Sequence, residues 1–407
     1  MSRLEELIKE KCPNGVKFYK LSDIGLQFNG LSGKSKKDFE KGNYKYITYS
    51  NVYSNPSTKL DVDDYVNVSE NEKQNEIKFK DILITGSSEN LEDSGMISVV
   101  TKHLNEKIYL NSFCFGFRLN KEFFEKYNAD FLKHLFRDNS FRNEIISCSF
   151  GVTRYNLSKE KFLKIKIPCP PLEVQEEIVR ILDKFEELEE ELEEELEARK
   201  SQYEFWRGIL LYKKNYETAK MSQVCIINQG LQIPISCRKK TPGKDRYFYI
   251  TVQFLKGETE KYYIENPQQS VICNKDDILV TRTGSTGKII TGVEGCFHNN
   301  FFKVNPIINI NKKYLFHVLN STEMYNEMVR MASGGTVLDL PHKKFYNIEI
   351  PVPSLDEQQR IVNILDKFDK LVNDMKEGLP AEIELRQKQY KYYRNKLLSF
   401  KELVVDE

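Results

Sequence analysis

A segment of nineteen residues occurs twice in this chain. The first copy, IPCPPLEVQEEIVRILDKF, runs from Ile167 to Phe185, and the second, IPVPSLDEQQRIVNILDKF, runs from Ile350 to Phe368. The copies lie 183 residues apart, and 12 of their 19 positions are identical. An internal repeat of this length constrains the fold more than any short motif, because the chain has to form the same kind of unit twice.

The similarity between the two halves extends beyond this segment. Matching pieces follow in the same order: 43–52 with 246–255, 79–88 with 274–284, 130–136 with 313–319, 151–168 with 334–351, and 199–211 with 386–398. A chain of 407 residues suits two or three domains. We therefore predict a tandem duplication with units of roughly 185–200 residues.

Each unit is predicted to have a β-rich part followed by a long helix. Runs such as YKYITYS (44–50), DILIT (81–85), YFYITVQF (247–254) and DDILVTR (276–282) alternate with polar loops, which is typical of a mixed or antiparallel sheet. Prolines then end a strand, and Leu172 or Leu355 begins the helix. Apolar residues at spacings of three and four form a coiled-coil seam in the first helix: Ile178, Ile181, Phe185, Leu188, Leu192, Leu196, Tyr203, Trp206 and Leu210.

The charges on the two helices indicate that they pair with each other. The first helix carries nine glutamates between 186 and 197, whereas the second is basic near its end, from Arg386 to Lys401. The predicted fold class is therefore α+β, a tandem pseudo-twofold repeat of two β-rich mixed domains separated by two long helices that pair as a coiled coil. Pro380 should kink or restart the second helix.

The net charge of +1 conceals a segregation of charge. Without the nine glutamates the remainder of the chain carries +1 + 9 = +10, which keeps nucleic acid open as a partner. No apolar run approaches the roughly 20 residues of a membrane span. The first residues contain no apolar signal-peptide core, and the eight cysteines form no CxxC pair. These features predict a cytoplasmic protein that does not contact a membrane.

The sequence contains no constellation typical of an enzyme. The five histidines show no metal-ligand spacing, and His134 and His317, which are equivalent in the repeat, are interpreted as structural residues of helices. TRTGSTGK (281–288) lacks the first glycine of a phosphate-binding loop, and no nuclease, amino-methyltransferase, GxGxxG or GxSxG motif is present. We predict a non-catalytic protein without a cofactor or a metal.

The order of these segments resembles the specificity subunit of type I DNA restriction–modification systems. The resemblance covers essentially the whole chain and is carried by the IPxPxLxEQ-like helix starts at 167–175 and 350–358 and by the duplication itself. It implies an adaptor in which two target recognition domains each bind one half of a split, asymmetric site in double-stranded DNA. The helices would dock two methyltransferase subunits and the restriction/translocase subunits, and a duplicated helix start gives two equal partners equal docking surfaces.

This resemblance implies four segments and one departure from the pattern. The first recognition domain would span 1–156, the central region with its helix 157–213, the second recognition domain 214–340, and the C-terminal region with its helix 341–407. The first unit has TGSSENLEDSGM (85–96) where the second has TRTGSTGK, so its loop lacks the arginine and gains acidic residues.

Candidate DNA-contacting residues lie in loops, where polar side chains can reach base edges and lysines can bind phosphates. For phosphate contacts we predict Lys34, Lys36, Lys37, Arg238, Lys239 and Lys240. For base contacts we predict Ser87, Ser88, Asn90, Arg154, Arg282, Thr283, Ser285 and Thr286, and more weakly Tyr49, Asn51 and Gln253. For docking of methyltransferase subunits we predict the surfaces around Leu172, Gln175, Leu355 and Gln358, although the two glutamines could instead cap their helices.

Two other functions agree with the same sequence. One is a coiled-coil scaffold that binds proteins and never DNA. The other is the separate recognition chain of a fused methylase–nuclease system, which differs only in its partner.

Overall fold

The computed structural model describes residues 3–257, 259–334 and 337–403. The chain divides into two units: unit 1 comprises Met1–Glu191 with Ile383–Glu407, and unit 2 comprises Leu192–Glu382. Both units contain helices and sheets of short strands, which confirms the predicted α+β class.

Unit 1 contains the first eight helices and twelve strands, of which α8 continues into unit 2. The helices are α1 (Arg3–Lys11), α2 (Leu21–Ile24), α3 (Tyr49–Ser54), α4 (Lys121–Phe124), α5 (Ala129–Leu135), α6 (Asn139–Ser147), α7 (Lys159–Leu163) and α8 (Leu172–Leu211). The strands are β1 (Lys17–Lys20), β2 (Gly25–Asn29), β3 (Tyr44–Ile47), β4 (Tyr65–Val66), β5 (Ile82–Thr85), β6 (Ser87–Ser88), β7 (Ile97–Val99), β8 (Ile108–Leu110), β9 (Cys114–Leu119), β10 (Ser149–Phe150), β11 (Tyr155–Leu157) and β12 (Lys166–Cys169).

The sheets of unit 1 join strands that are distant in the sequence. Four antiparallel strands follow the order β2-β9-β5-β7, so that Ile82 pairs with Phe117 on one side and with Val99 on the other. A second sheet has the order β4-β3-β8 and contains the parallel pair β3·β8. β1 pairs with β12, which precedes α8. Apolar side chains of the four-stranded sheet pack with those of α5, α6 and the start of α8 in the main core.

The remaining elements belong to unit 2, except that α15 continues into unit 1. The helices are α9 (Met221–Val224), α10 (Val252–Leu255), α11 (Lys312–Leu319), α12 (Thr322–Met331), α13 (His342–Tyr346), α14 (Leu355–Asn373) and α15 (Leu379–Leu397). The strands are β13 (Thr218–Lys220), β14 (Cys225–Gln229), β15 (Arg246–Ile250), β16 (Tyr263–Glu265), β17 (Ile272–Cys273), β18 (Ile278–Thr281), β19 (Ile289–Ile290), β20 (Gly295–Phe297), β21 (Phe301–Pro306) and β22 (Glu349–Pro351).

Unit 2 repeats the sheet arrangement of unit 1. Its sheets follow the orders β14-β21-β18-β19 and β16-β15-β20-β17, the second with the parallel pair β15·β20, and β13 pairs with β22. The registers correspond as well, since Thr85 pairs with Cys114 in unit 1 and Thr281 pairs with Phe301 in unit 2. The predicted tandem repeat is therefore confirmed.

A short helix interrupts each of the two aromatic-rich runs that the sequence predicts as extended. β3 ends at Ile47 and β15 ends at Ile250. The Thr48 side chain accepts a hydrogen bond from the Asn51 amide, and the Thr251 side chain accepts one from the Phe254 amide. A threonine that satisfies an amide of the first turn favours a helix start. The run is therefore divided at its threonine in both units.

The long helix α8 begins at Leu172, as predicted, and within unit 1 it packs antiparallel to α15. The ring of Phe185 stacks on the ring of Tyr393 at 5.3 Å between centroids. Four residues later along α8, Glu189 accepts a hydrogen bond from Gln387 Nε2 at 2.7 Å. The predicted pairing of the first helix with the basic second helix is present in this unit.

Within unit 2, the later part of α8 packs against α14 instead. The rings of Tyr203 and Phe368 stack at 6.1 Å between centroids, and Tyr203 and Leu210 are buried as the predicted seam requires. The prediction is wrong for Trp206, which is 40% exposed, because its neighbour Arg207 takes the buried position beside Tyr203.

The second long helix is broken in two, as Pro380 predicts. α14 ends at Asn373 and α15 begins at Leu379. Between them, Asp374 Oδ1 accepts hydrogen bonds from the amides of Lys376 and Glu377. Pro380 is the second residue of α15, where its missing amide hydrogen removes no helical bond.

A buried histidine paired with a half-buried aspartate occupies the same position in both units. In unit 1, His134 Nε2 lies 2.8 Å from Asp183 Oδ1, and Nδ1 lies 3.1 Å from the hydroxyl of Tyr390. The equivalent trio of unit 2 is His317, Asp366 and Tyr203, with distances of 2.8 and 3.5 Å. The tyrosines are exchanged between the repeats, because Tyr390 of the second repeat completes unit 1 and Tyr203 of the first completes unit 2.

We predict that acidification weakens unit 2 through His317. Burial lowers the pKa of His317, an effect that the hydrogen bond to Asp366 opposes; Lys313, Asp369 and Arg207 also face this site. The folded pKa lies below the unfolded value of about 6.5. The contribution of neutral His317 to the free energy of unfolding is therefore fully present above about pH 6.5 and is lost as the pH drops towards the folded pKa. His317→Gln, which keeps a donor towards Asp366, should flatten this loss of melting temperature between about pH 7.5 and 5. An equal slope in both proteins would contradict the prediction.

Candidate nucleic-acid interface

A small sheet with the order β10-β11-β6 carries the predicted base-contact residues of unit 1. Ser87 pairs with Asn156 and Ser88 pairs with Tyr155. Just before β11, Arg154 donates hydrogen bonds from Nε and Nη2 to Ser87 Oγ at 3.1 and 2.9 Å. The hairpin that presents Arg154 requires a glycine at Gly151, where φ is +124° and a Cβ would lie 2.1 Å from the Arg154 carbonyl oxygen.

These residues line an open cleft of about 370 Å³. Its lining consists of Tyr49, Tyr53, Ser87, Ser88, Glu89, Asn90, Asp93, Phe113 and Arg154. The structure thus brings together all four residues predicted for base contact in unit 1. Ser87 and Ser88 are buried, so the Ser87 hydroxyl orients Arg154, whereas Asn90 and Arg154 are exposed. Tyr49 donates to the Ser87 carbonyl oxygen at 2.8 Å.

The loop that follows β6 is acidic and is held by one arginine. Arg142 donates hydrogen bonds to the carbonyl oxygens of Glu92, Ser94 and Gly95 at 2.8–3.0 Å. Asn90 Nδ2 lies 3.2 Å from Asp93 Oδ2. Carboxylates repel phosphates but can accept a hydrogen bond from a cytosine amino group. The cleft therefore suits base edges better than it suits a phosphate backbone.

In unit 2, an isolated β-bridge between Thr283 and Asp339 corresponds to the pairing of Ser87 with Asn156 in unit 1. Arg282 forms a bidentate pair with Asp339, with Nε–Oδ1 at 2.6 Å and Nη2–Oδ2 at 3.0 Å. Thr286 is buried, and its hydroxyl lies 3.0 and 2.8 Å from the carbonyl oxygens of Arg282 and Leu338, so a hydrogen bond to either one fixes the loop. Ser285 and Thr283 are half-buried.

The strand registers show that each unit has one arginine at this bridge, supplied from opposite strands. The Gly86 amide donates to the Phe113 carbonyl oxygen at 2.9 Å, and the Arg282 amide donates to that of Asn300, in the equivalent turn of unit 2, at 2.6 Å. Gly86 therefore occupies the position of Arg282. By the pairing of β6 with β11, Arg154 corresponds to Val337. The loop 85–96 lacks the arginine, as the sequence indicates, and the predicted residue Arg154 lies at the same bridge from the opposite strand.

Two of the three predicted phosphate-binding lysines of unit 1 are exposed. Lys36 and Lys37 lie on a short 3₁₀ helix, Lys36–Phe39, whose start is capped by Ser35 and Asp38. Lys34 is largely enclosed and forms an ion pair with Glu72 at 2.5 Å. Lys34 therefore holds its loop in this structure.

The basic cluster of unit 2 divides in the same way. The Arg238 guanidinium lies over the rings of Tyr249 and Tyr262, at 5.0 and 5.5 Å from the centroids. Lys239 is exposed while its backbone pairs with Tyr263. Lys240 is exposed and pairs with Glu260 at 2.6 Å. Asn51, a weaker candidate, is buried, whereas Gln253 is exposed on α10.

The four docking candidates separate into exposed and buried pairs. Leu172 and Leu355, the first residues of α8 and α14, are 39% and 43% exposed. Gln175 and Gln358 are buried. Their Oε1 atoms accept hydrogen bonds from the amides of Asn128 and Asn311, at 2.8 and 2.9 Å. Each glutamine thus ties its long helix to the asparagine that caps α5 or α11.

An exposed aromatic pair that was not predicted from the sequence occurs in both units. Phe205 and Trp206 of unit 2 lie edge to face at 5.7 Å between centroids, and both side chains are exposed. Tyr392 and Tyr393, which follow the other copy of the helix segment, lie at 5.3 Å in unit 1 and are also exposed. The matching runs RKSQYEFW and RQKQYKYY both end in two adjacent aromatic residues, which is the sequence feature that could have predicted this pair.

One cluster has the residue types of a metal site. His134, Asp183 and Glu186 offer ligand atoms close to one another. The ammonium of Lys133, however, lies 2.9 Å from both Asp183 Oδ1 and Glu186 Oε2, so a cationic side chain already contacts both carboxylates. Within the described ranges, no helix is long and apolar enough to cross a membrane.

The chain therefore consists of two copies of one α+β unit, each with an arginine held beside a polar loop. The chain belongs to the family of type I restriction modification DNA specificity domains, whose sequence model matches it twice, at residues 13–198 and 213–385. The predicted family is thereby confirmed.

Individual relatives agree with this assignment. The specificity subunit of the type I restriction enzyme EcoR124I/EcoR124II from Escherichia coli is 37% identical over 267 residues, which cover 58% of this chain and 63% of that subunit. The putative type I restriction enzyme specificity subunit S.HindORF215P from Haemophilus influenzae is 34% identical over 302 residues, or 68% of this chain and 73% of that protein.

Solved structures share the fold. A chain from a structural study of complex assembly and conformational transition in the type I R-M system is 18% identical, with a TM-score of 0.64 over 95% of this chain and 98% of that chain. The HsdS subunit from Thermoanaerobacter tengcongensis is 17% identical, with a TM-score of 0.50 over 95% of this chain and 96% of that chain.

Proposed function

We propose that this chain acts in the cytoplasm as a non-catalytic adaptor that recognises a split, asymmetric site in double-stranded DNA, each unit binding one half. The observation that carries this proposal is the strand bridge with its arginine, Arg154 in unit 1 and Arg282 in unit 2. A guanidinium on an ordered loop is suited to base edges. Because the surrounding loops differ between the units, the two half-sites should differ in sequence.

We assign phosphate contacts to the exposed lysines, chiefly Lys36, Lys37 and Lys239. Lysines at the margin of a site neutralise phosphates and set the position of the protein on the duplex without reading sequence. Lys34 and Arg238 are engaged within their own loops and would support these contacts indirectly. For the domains we propose recognition by 1–156 and 214–340, and docking by 157–213 and 341–407.

We propose that two methyltransferase subunits dock on the helical regions, with restriction/translocase subunits joining the assembly. The exposed Leu172 and Leu355 occupy equivalent positions, as two identical partners require. The exposed aromatic pairs are also duplicated, and tyrosine and tryptophan are frequent anchors of protein interfaces. The buried Gln175 and Gln358 would shape these surfaces from below.

Exchange of one recognition segment tests the central claim. Residues 30–156 should be replaced by the matching segment of a related specificity subunit. The segment has to include Arg154, whose side chain donates to Ser87, and Asn156, which pairs with Ser87. In cells that also express the methyltransferase subunits, methylome sequencing should show that one half of the methylated site changes and the other half does not. The matched control exchanges 230–339 and should change only the opposite half.

Two outcomes would contradict the proposal. If both halves changed together after one exchange, the units would not recognise DNA independently. If the unmodified chain bound no duplex in a salt-dependent manner, alone or with its partners, a protein scaffold would be the better explanation.

A further inference from the structure

Phe113 is a large apolar side chain in an exposed position of unit 1. It is 60% exposed and lies in the turn between β8 and β9. Its amide donates to Asn111 Oδ1 at 2.9 Å, and its carbonyl oxygen accepts from the Gly86 amide at 2.9 Å. The Cys114 amide donates to the Asn111 carbonyl oxygen at 3.0 Å. Backbone hydrogen bonds, rather than packing of the ring, therefore fix its position.

A glycine lies against each copy of this turn. A Cβ on Gly30 would lie 2.1 Å from the Asn111 carbonyl oxygen, and a Cβ on Gly230 would lie 2.2 Å from that of His298. Real Cβ atoms do not approach a backbone oxygen so closely, so both turns depend on glycine for their placement.

The ring stands at the rim of the cleft that holds the base-contact candidates of unit 1. The Arg154 guanidinium lies 5.9 Å from the centre of the ring. Arg154 and Asn90 are exposed in the same cleft. A single exposed phenylalanine is ordinary on a protein surface. One that is fixed by its backbone beside two exposed polar side chains offers an apolar contact within a hydrogen-bonding surface.

The same turn occurs in unit 2, but the side chain at the position of Phe113 is different. Asn300 occupies the position of Phe113: its amide lies 3.1 Å from His298 Nδ1, and its carbonyl oxygen accepts from the Arg282 amide at 2.6 Å. The backbone of this position makes equivalent hydrogen bonds in both units, but its side chain is apolar in unit 1 and polar in unit 2. A residue needed for folding or for identical partners would be alike in both units, whereas a residue that distinguishes two half-sites would differ.

We propose that Phe113 recognises a thymine in the half-site of unit 1 through contact of its ring with the C5-methyl group. This rests on the proposed function. Among the base-pair edges in the major groove, the thymine methyl is the apolar group, and the other groups are hydrogen-bond donors and acceptors. Arg154 and Asn90 supply polar partners for the neighbouring edges, and Phe113 supplies the apolar partner.

Deoxyuridine, which lacks the methyl group, tests this contact. The full complex is bound to duplexes that carry the methylated motif, with each thymine of the unit 1 half-site replaced by deoxyuridine in turn. One replacement should weaken binding of the unmodified complex about fourfold, the value of one buried methyl-sized group. Phe113→Asn, which installs the residue of unit 2, should bind both duplexes equally, and Phe113→Leu should retain the discrimination. Deoxyuridine in the other half-site is the control and should affect all three proteins alike.

The outcomes separate this inference from the proposed function. If the unmodified complex tolerates every deoxyuridine in the unit 1 half-site, the thymine contact is wrong even though a split site is recognised. If Phe113→Asn alone weakens binding and abolishes a fluorescence increase of 2-aminopurine in the half-site, the ring acts as a wedge between bases and the proposal is overturned. Absence of any split site would instead refute the proposed function.

Discussion

Replacement of Arg118 by methionine is expected to destabilise unit 1 by about 3–5 kcal/mol, because it leaves a buried charge without its partner. Asp81, just before β5, is fully buried and accepts from Arg118 Nε at 2.8 Å and from Nη2 at 2.6 Å. Arg118 also donates to the Glu76 carbonyl oxygen at 2.7 Å. Urea denaturation with hydrogen exchange of β5 and β9 would measure the loss.

The pH dependence of this variant identifies the cause. Burial raises the pKa of Asp81, while the hydrogen bonds from Arg118 oppose that rise. Without Arg118, folding should favour the protonated acid more strongly, so the loss of stability should be smaller at about pH 5 than at about pH 8. A double variant, Asp81→Leu with Arg118→Met, should recover part of the stability. Lys164→Met, which removes an exposed ion pair with Glu160, is the control and should have no measurable effect.

Truncation of Gln175 to alanine is expected to destabilise unit 1 by about 2–4 kcal/mol, since it leaves buried backbone groups without hydrogen bonds. The side chain accepts from the Asn128 amide and donates to the carbonyl oxygens of Lys126 and Pro170, all at 2.7–2.8 Å. Gln358→Ala should weaken unit 2 in the same way, because Gln358 bonds Asn311 and Pro353. Thermal and urea denaturation of the isolated chain would measure both effects.

Variants at neighbouring positions distinguish a structural role of Gln175 from a direct contact with a partner subunit. Glu176→Ala changes an exposed residue of the same helical turn and should leave stability unchanged. Leu172→Ala removes an exposed side chain, so it should preserve the stability of the isolated chain and weaken the proposed complex with methyltransferase subunits. If Gln175→Ala instead behaved like Leu172→Ala, the glutamine would contact the partner directly.

Strong local signals made the main architecture predictable from sequence. The repeat predicts two units, and the prolines before Leu172 and Leu355 predict where the long helices begin. Pro380 correctly marks the break in the second helix. For the helix starts and the helix break, the cause lies within a few residues, in the ring geometry of proline.

The features that sequence analysis missed depend on strand pairing or burial. Arg154 reaches Ser87 across 67 residues because β11 pairs with β6, and no local pattern encodes that register. Lys34 resembled a phosphate ligand but is paired with Glu72 from a distant loop. Trp206 fitted the apolar spacing of the helix, yet the partner helix covers the neighbouring face instead. The predicted contact residues can be placed in clefts and loops, but which bases they meet stays a prediction.

The exchanged tyrosines also bear on the order in which the chain can fold during synthesis. Tyr390, Leu398 and the pairing of Val16 with Glu402 complete unit 1, although most of that unit precedes residue 192. The ribosome has to add Leu192–Glu382 in the meantime, which at about 5–20 residues per second takes about 10–40 s. Unit 2 is continuous and can close as soon as it emerges. The first unit to begin folding is therefore the last to finish, and until then Phe131 and Phe185 lack the ring contacts that Phe400 and Tyr390 provide.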